Sequence, residues 1–395
     1  MKDMTESRNV YLDYSATTPV KEDVLKEMLP WFLENFGNPS SIYTCGQKSK
    51  DALSLARRRV AKLIGATAEE IFFTSTGTEA DNWAIFGVVD ALRDKGNHII
   101  TTVFEHHAVL HACQFLQQRG VDVTYLPVNS QGLVDPAEVE AAITDKTVLI
   151  TIMAVNNEIG TVQPISKIGE IAKKHGVLFH TDGVQAAGSI PVDVKKWGVD
   201  MMSISAHKIY GPKGVGALYI RKGLRFSNLM HGGGQENKRR AGTENLAGIV
   251  GFGKAAELAH ENLEEHIQHV KTLRDYFIEE VLQRIPEVSI NGSLEHRHPG
   301  NINLAFNFIE GEGILILLDE KGISVSTGSA CNSEALTPSH VLSSIGLPVE
   351  RIHGSIRFTM GDFTTRDDVD YVLNVLEETV KKLRDISSVN EKKGW

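Results

Sequence analysis

Lys208, in Ser203-Ile204-Ser205-Ala206-His207-Lys208, and Asp182, in Thr181-Asp182-Gly183-Val184-Gln185, stand at the ends of two neighbouring apolar runs. They offer an amine nucleophile and a carboxylate to one place. That pairing suits pyridoxal phosphate. A lysine that forms a Schiff base needs partial desolvation, which favours the neutral amine, and an aspartate facing the pyridine nitrogen keeps it protonated, so that the ring becomes an electron sink. Far downstream, Cys331 lies in Ser326-Thr327-Gly328-Ser329-Ala330-Cys331-Asn332-Ser333, a run of small residues unsuited to a packed helix or strand. A thiol in a loop of that kind can reach a substrate.

Other segments could complete such a site, and each has a plainer reading. Thr74-Ser75-Thr76-Gly77-Thr78-Glu79-Ala80 follows an apolar run and opens a helical pattern. Gly77, Thr78 and their unpaired N–H groups can cradle a phosphate, or simply cap the helix. Ser205 and His207 would add phosphate donors beside Lys208. Gln185 can donate to a phenolic oxygen or stay exposed. In Glu105-His106-His107 an imidazole face can stack on a planar ring, or serve structure alone. Arg357 can grip a substrate carboxylate through two hydrogen bonds or lie on the surface. Asn38, in Asn38-Pro39-Ser40-Ser41, and Asn157, in Asn156-Asn157-Glu158, read as polar punctuation. His231-Gly232-Gly233-Gly234-Gln235 and Arg240-Ala241-Gly242-Thr243 can reach an anion across a subunit boundary or form a surface turn. The spacing His107-x-x-x-His111 would suit zinc on a helix, but no further ligand accompanies it, and HExxH is absent. Gly251-Phe252-Gly253 lacks the preceding strand of a dinucleotide fingerprint, and no P-loop motif occurs.

These residues need a scaffold that ends strands beside one another. From 71 to 220, β-branched runs near Ile71, His98, Val121, Val148, Val177 and Met201 alternate with amphipathic stretches, and a last strand runs from Gly214 to Ile220. That alternation predicts a mainly parallel sheet with helices over Thr78 to Leu92, Ala108 to Gln118, Pro136 to Ile143 and Ile165 to His175. Thr243 to Ile285 reads as a long, largely helical connector. Beyond Pro286, strands at Val288, Ile302 and Ile356 interleave with helices near Gly313, Ser339 and Arg366, which suggests a smaller α+β domain.

The chain has 395 residues, 42% hydrophobic content, a net charge of -9 and three widely spaced cysteines, Cys45, Cys113 and Cys331. It can bury a large core, and neither a disulfide framework nor a cysteine zinc site is indicated. No apolar run reaches the ~18 residues of a membrane span, and the N-terminus lacks a signal-peptide core, so a cytoplasmic enzyme with no membrane or nucleic-acid partner is expected. The short runs Arg57-Arg58-Arg59 and Lys238-Arg239-Arg240 read as solvated faces.

Taken in order, Tyr11-Leu12-Asp13-Tyr14-Ser15-Ala16-Thr17-Thr18-Pro19, Phe36-Gly37-Asn38-Pro39-Ser40-Ser41, Glu105-His106, Val155-Asn156-Asn157-Glu158-Ile159-Gly160 and the segment from Ser205 to Gly214 resemble the cysteine desulfurases. So do His231-Gly232-Gly233-Gly234, Gly242-Thr243, Gly328-Ser329-Ala330-Cys331 and Ser355-Ile356-Arg357-Phe358. These enzymes belong to the fold-type I pyridoxal phosphate group, within the class V aminotransferase family, and the resemblance is to their NifS/IscS-like branch, or group I. It implies a mainly parallel seven-stranded sheet in a large domain over 17–260. A smaller α+β domain over 1–16 and 261–395 would carry the cysteine loop at about 326–338.

By the same resemblance, Lys208 carries the cofactor, Asp182 pairs with its ring nitrogen, Gln185 with its phenolic oxygen, and His106 stacks on the ring and shuttles protons. Gly77, Thr78, Ser205 and His207 hold the phosphate, and Thr243 reaches it from the second subunit of a homodimer. Asn157 and Arg357, with Asn38 nearby, bind L-cysteine; Asn157 also borders the cofactor. Cys331 takes the sulfur as a persulfide, passes it to an iron–sulfur scaffold or another acceptor protein, and can ligate a transferred cluster. No resident metal is implied. The C-terminal Lys392-Lys393-Gly394-Trp395 departs from the scaffold-docking extension of housekeeping members and leaves the acceptor open. An aminotransferase on the same fold would not need Cys331. A selenocysteine lyase would use the same residues, and a non-catalytic sulfur carrier would keep the fold without turnover.

Overall fold

The computed structural model describes residues 8–327 and 338–387. Seven strands form its main sheet: β2 (Ile71–Thr74), β3 (His98–Thr102), β4 (Asp122–Leu126), β5 (Thr147–Thr151), β6 (Leu178–Asp182), β7 (Met201–Ser205) and β8 (Gly216–Ile220). They follow β1 (Val10–Tyr11) and lie in the order β2-β8-β7-β6-β5-β3-β4. Every pairing from β7 to β4 is parallel, whereas β8 runs antiparallel to both neighbours. The ten residues between β7 and β8 are too few for a helical crossover, so the chain turns back on itself. β2, antiparallel to β8, therefore points the same way as β7.

Alternation along the strands sends side chains to two apolar layers. Ile71, Phe73, Ile100, Ile150, Met202 and Tyr219 pack into one cluster; Phe72, Ile99, Val148, Met201 and Leu218 pack into another. The expected crossover helices are present at Gly77–Leu92, His107–Gln117, Pro136–Ala141 and Ile165–His175. The connector after Thr243 is two helices, Leu246–Glu261 and Leu263–Arg284, broken at Asn262. A Cβ at Gly253 would lie 2.6 Å from the Ala56 backbone, so this glycine lets its helix press against Thr44–Leu63 and binds no dinucleotide.

A second sheet, in the order β12-β13-β10-β9, is antiparallel. Its strands are β9 (Val288–Ile290), β10 (Asn301–Phe306), β12 (Ser326–Thr327) and β13 (Ser355–Thr359), and β11 (Ile323–Ser324) pairs with β1. Its apolar face packs with Val10, Leu12, Phe277, Ile314 and the helix Arg366–Ile386.

The basic runs are only partly solvated: Arg58 and Lys238 are exposed, but their neighbours are paired. Arg57 donates to both carboxylate oxygens of buried Glu236, at 2.6 and 2.7 Å, and Arg59 pairs with Glu27 and Glu257. Arg240 grips Glu79 at 2.8 and 3.1 Å. These bidentate pairs fasten the segment before Thr243 to the helix Thr44–Leu63 and to the first turn of Gly77–Leu92, and Phe73 N on β2 donates to Glu236 Oε2 at 2.9 Å; Glu236, Asn237 and Lys238 lie in the left-handed region.

Candidate active site

The parallel strands converge on one edge, where open α/β sheets present ligand sites. β2 leads into Thr76, Gly77 and Thr78; β3 into Glu105 and His106; β5 into Met153, Asn157 and Glu158. β6 ends at Asp182 with Val184 and Gln185 beyond it, and β7 ends at Ser205 with His207 and Lys208 beyond it. All of these except Glu105 line a cleft of about 370 Å³, together with Ser15, Ala16, Asp81 and Arg357.

Lys208 Nζ donates to the carbonyls of Ser15 at 2.5 Å and Ala16 at 2.8 Å. Gln185 Nε2 donates to the same Ser15 carbonyl at 2.9 Å. Asp182 is buried and accepts from Val184 N through Oδ1 at 2.9 Å. Burial pushes its carboxyl above the ordinary range, while the charge of Lys208 pulls it back. A cation brought to this carboxylate would complete that pull. Asp81, one turn along the helix from Gly77 and 1% exposed, also borders the cleft; burial and the neighbouring Asp182 raise its carboxyl well above the ordinary carboxylate range.

His106 forms the wall after β3. Its Nδ1 accepts from Ala108 N at 3.1 Å, which leaves the ring proton on Nε2. Burial, and then the charge of Lys208, pushes it down to about 4, so the ring is neutral near pH 7. His207 bonds Thr17 Oγ1 through Nδ1 at 3.1 Å and is likewise pushed down to about 4 by burial. At Gly77 an added Cβ would sit 2.8 Å from Val184 Cγ2; the bare glycine opens the helix end, with its free N–H groups, to the cleft.

Arg357, on β13, is 3% exposed. Its Nη1 donates to Asn157 O at 2.8 Å and its Nη2 to Asp13 Oδ1 at 2.7 Å; Nε is buried and has no partner among the described residues. A buried guanidinium with an unused donor on a cleft wall is fitted to an incoming carboxylate.

Of the residues expected to act together, Lys208, Asp182, Gln185, His106, Gly77, Thr78, Ser205, His207, Asn157 and Arg357 all border this cleft. Asn38 does not: it is exposed, and its Oδ1 accepts from Ser40 N at 2.9 Å in a local turn. Thr243 is exposed and is not among the residues lining this chain's cleft. Cys331 lies outside the described residues. His107 and His111 stack face to face at 4.8 Å, and no group among the described residues is arranged to hold a metal ion. Sequence reasoning missed Asp81, Glu158 and the Ser15–Ala16 carbonyls. The polar Asp81 inside an apolar helical stripe was the one signal that could have drawn attention.

The comparisons with known proteins agree with this geometry. The class-V aminotransferase model matches residues 10–372. A cysteine desulfurase IscS of Methanosarcina thermophila is 56% identical over 388 residues, 98% of this chain and 96% of that one. The chain belongs to the cysteine desulfurase family of class-V aminotransferases. Another member, a cysteine desulfurase of a Nostoc species, is 49% identical over 98% of this chain and 96% of its own. Among solved structures, a NifS-like protein superposes with a TM-score of 0.90 at 39% identity, covering 95% of this chain and all of that one. SspA in complex with cysteine has a TM-score of 0.80 at 37% identity, over 90% of this chain and 100% of its own. The fold is thus that of the fold-type I enzymes.

Proposed function

We propose that this chain, acting in the cytoplasm, is a cysteine desulfurase with pyridoxal 5′-phosphate as its cofactor. It takes sulfur from L-cysteine, releases L-alanine and leaves a persulfide on Cys331. The observation that carries this reading is the meeting in one cleft of Lys208, Asp182, neutral His106, the open helix end at Gly77 and the buried Arg357.

The residues fit the cofactor. Gly77, Thr78, Ser205 and His207 would hold its phosphate, Asp182 its ring nitrogen and Gln185 its phenolic oxygen, with His106 and Asn157 against the ring and Lys208 at its reactive carbon. When bound, the cofactor supplies an electron sink that weakens the bonds around the substrate Cα. Arg357 and Asn157 fix the substrate's amino-acid end, and Lys208 Nζ takes the Cα proton. Cys331, as thiolate, attacks the substrate sulfur. The carbon–sulfur bond breaks, its electron pair stays with carbon, and proton uptake there gives alanine. Cys331 lies four residues past Thr327, which pairs with Ile356 beside Arg357.

The sulfur then passes to an iron–sulfur scaffold or another acceptor protein. Two chains form the working unit, with Thr243 reaching the phosphate of the partner's site; the exposed side chains Leu29, Phe32, Leu33, Phe36, Ile42 and Tyr43 support an apolar subunit interface. The unit over 17–260 carries the cofactor residues and that over 1–16 and 261–395 carries Arg357 and Cys331.

The test is release of alanine and sulfide from L-cysteine with added cofactor and a reductant, in the unmodified protein and in Cys331→Ala. Equal amounts of both products, lost in the variant while cofactor stays bound, support the reading. Turnover that survives the substitution, or transamination of an α-keto acid, overturns it.

A further inference from the structure

Glu158 sits between the substrate wall and the far anchor of the segment that carries Cys331. It follows β5, and its backbone is pinned before its side chain is considered. Asn156 Oδ1 accepts from Glu158 N at 2.9 Å and from Ile159 N at 3.0 Å, while Asn156 Nδ2 donates to Phe104 O at 3.0 Å. The Glu158 carbonyl accepts from the side-chain amides of Asn301 at 3.3 Å and Asn303 at 3.1 Å, both on β10. The carboxyl of this residue is thereby aimed at a single hydroxyl: Ser339 Oγ donates to Glu158 Oε2 at 2.5 Å.

Ser339 caps the short helix His340–Ser344, its Oγ accepting from Leu342 N at 3.2 Å. Five residues cannot hold a helix by themselves, so tertiary contacts must. His340 Nε2 donates to the Glu105 carbonyl at 2.9 Å, and Val341 and Leu342 pack with Phe104, Met153 and Ile159 on the cleft's outer wall. Ser339 lies eight residues past Cys331. The chain therefore leaves β12 at Thr327, opposite Ile356 and one residue past the partner of Arg357, and returns at a hydroxyl held by Glu158, which itself borders the cleft.

We propose that Glu158 is a positioning residue for the sulfur-accepting half of the reaction: by holding Ser339 it fixes where the segment carrying Cys331 rejoins the cleft wall. The inference rests on the desulfurase reading above. It requires a hydrogen-bond acceptor and not a charge, since a hydroxyl can donate to a neutral amide carbonyl oxygen as well as, more strongly, to a carboxylate. Burial pushes the carboxyl up to about 7 against the hydrogen bond from Ser339 and the pull of Arg357.

The experiment compares holoenzyme carrying Glu158→Ala, Glu158→Gln, Ser339→Ala and the double alanine variant with the unmodified protein. L-cysteine binding is read from the change in cofactor absorbance, and persulfide formation on Cys331 from single-turnover mass spectrometry. Loss of one buried hydrogen bond predicts persulfide formation slowed roughly tenfold in each alanine variant, with L-cysteine affinity within about twofold. Glu158→Gln should recover most of the rate, and the double variant should be no slower than either single one, because both remove the same contact. Unchanged persulfide rates, affinity falling in step with rate, or additive losses in the double variant would overturn the proposal. An unmodified protein that binds L-cysteine and forms no persulfide would instead overturn the desulfurase reading, and this inference with it.

Discussion

Replacing Arg357 with lysine isolates the recognition of the substrate carboxylate. The guanidinium is already fixed by Asn157 O and Asp13, with Nε left over. Lysine keeps the charge but has no planar fork, and its single nitrogen cannot serve Asn157 O, Asp13 and a substrate at once. One charge-assisted hydrogen bond is lost, worth about 1.5–3 kcal/mol, which corresponds to a rise in the L-cysteine dissociation constant of about 10- to 150-fold. Part of any loss could come from a disturbed β13, so the assay needs an internal control. Cysteamine, which is L-cysteine without its carboxylate, supplies it. Titrating both amines against the holoenzyme by cofactor absorbance should show the full penalty for L-cysteine and less than about threefold for cysteamine. Equal penalties for the two, or none for L-cysteine, would refute the assignment of Arg357 to the carboxylate.

Other outcomes follow from the same geometry. Gly77→Ala forces a methyl group to within 2.8 Å of Val184 Cγ2; overpacking of about 1–3 kcal/mol should raise the cofactor dissociation constant about tenfold or more, measured by fluorescence quenching on the apo-protein. His106→Phe keeps a flat ring and loses the Nε2 proton, so cofactor affinity should stay within about threefold while turnover falls at least about tenfold. Because His106 is held near 4, the pH profile of turnover should show no inflection near 6.5 that disappears in this variant. Glu105 and Glu158, ordinarily near 4.5, are raised by burial to about 8 and about 7. The folded chain therefore keeps protons that the unfolded chain has released, and its stability should fall as pH rises from about 4.5 through about 8. Thermal unfolding across that window should show a shallower decline in Glu105→Gln.

Periodicity exposed the sheet because its strands are short β-branched runs separated by amphipathic helices, the pattern of a mainly parallel sheet covered by helices. Asp182 and Lys208 were legible for a related reason: strand ends in such a sheet share an edge. The resemblance, and not any spacing, singled out Asn157. Local sequence could not show the ties across long separations. Arg57 meets Glu236 179 residues away, Arg357 meets Asp13 at a separation of 344, and Ser339 meets Glu158 at 181. Arg57-Arg58-Arg59 therefore looked like a solvated face, although its first and third members are paired. β1, β11 and β12 are two residues long and carry no periodicity at all. The helix Thr44–Leu63, polar on most of its surface, gave little warning that Leu53, Ala56 and Val60 would be buried against the helix Leu246–Glu261.

The central claim is that sulfur leaves L-cysteine for Cys331. Its most direct test is a single turnover of the holoenzyme with stoichiometric L-cysteine and no reductant, followed by proteolysis and mass spectrometry alongside an alanine assay. Desulfuration through this thiol predicts one additional sulfur on the peptide containing Cys331, in proportion to the alanine formed, and neither product in Lys208→Ala. Alanine without sulfur on Cys331, or sulfur on Cys45 or Cys113 in its place, would contradict it.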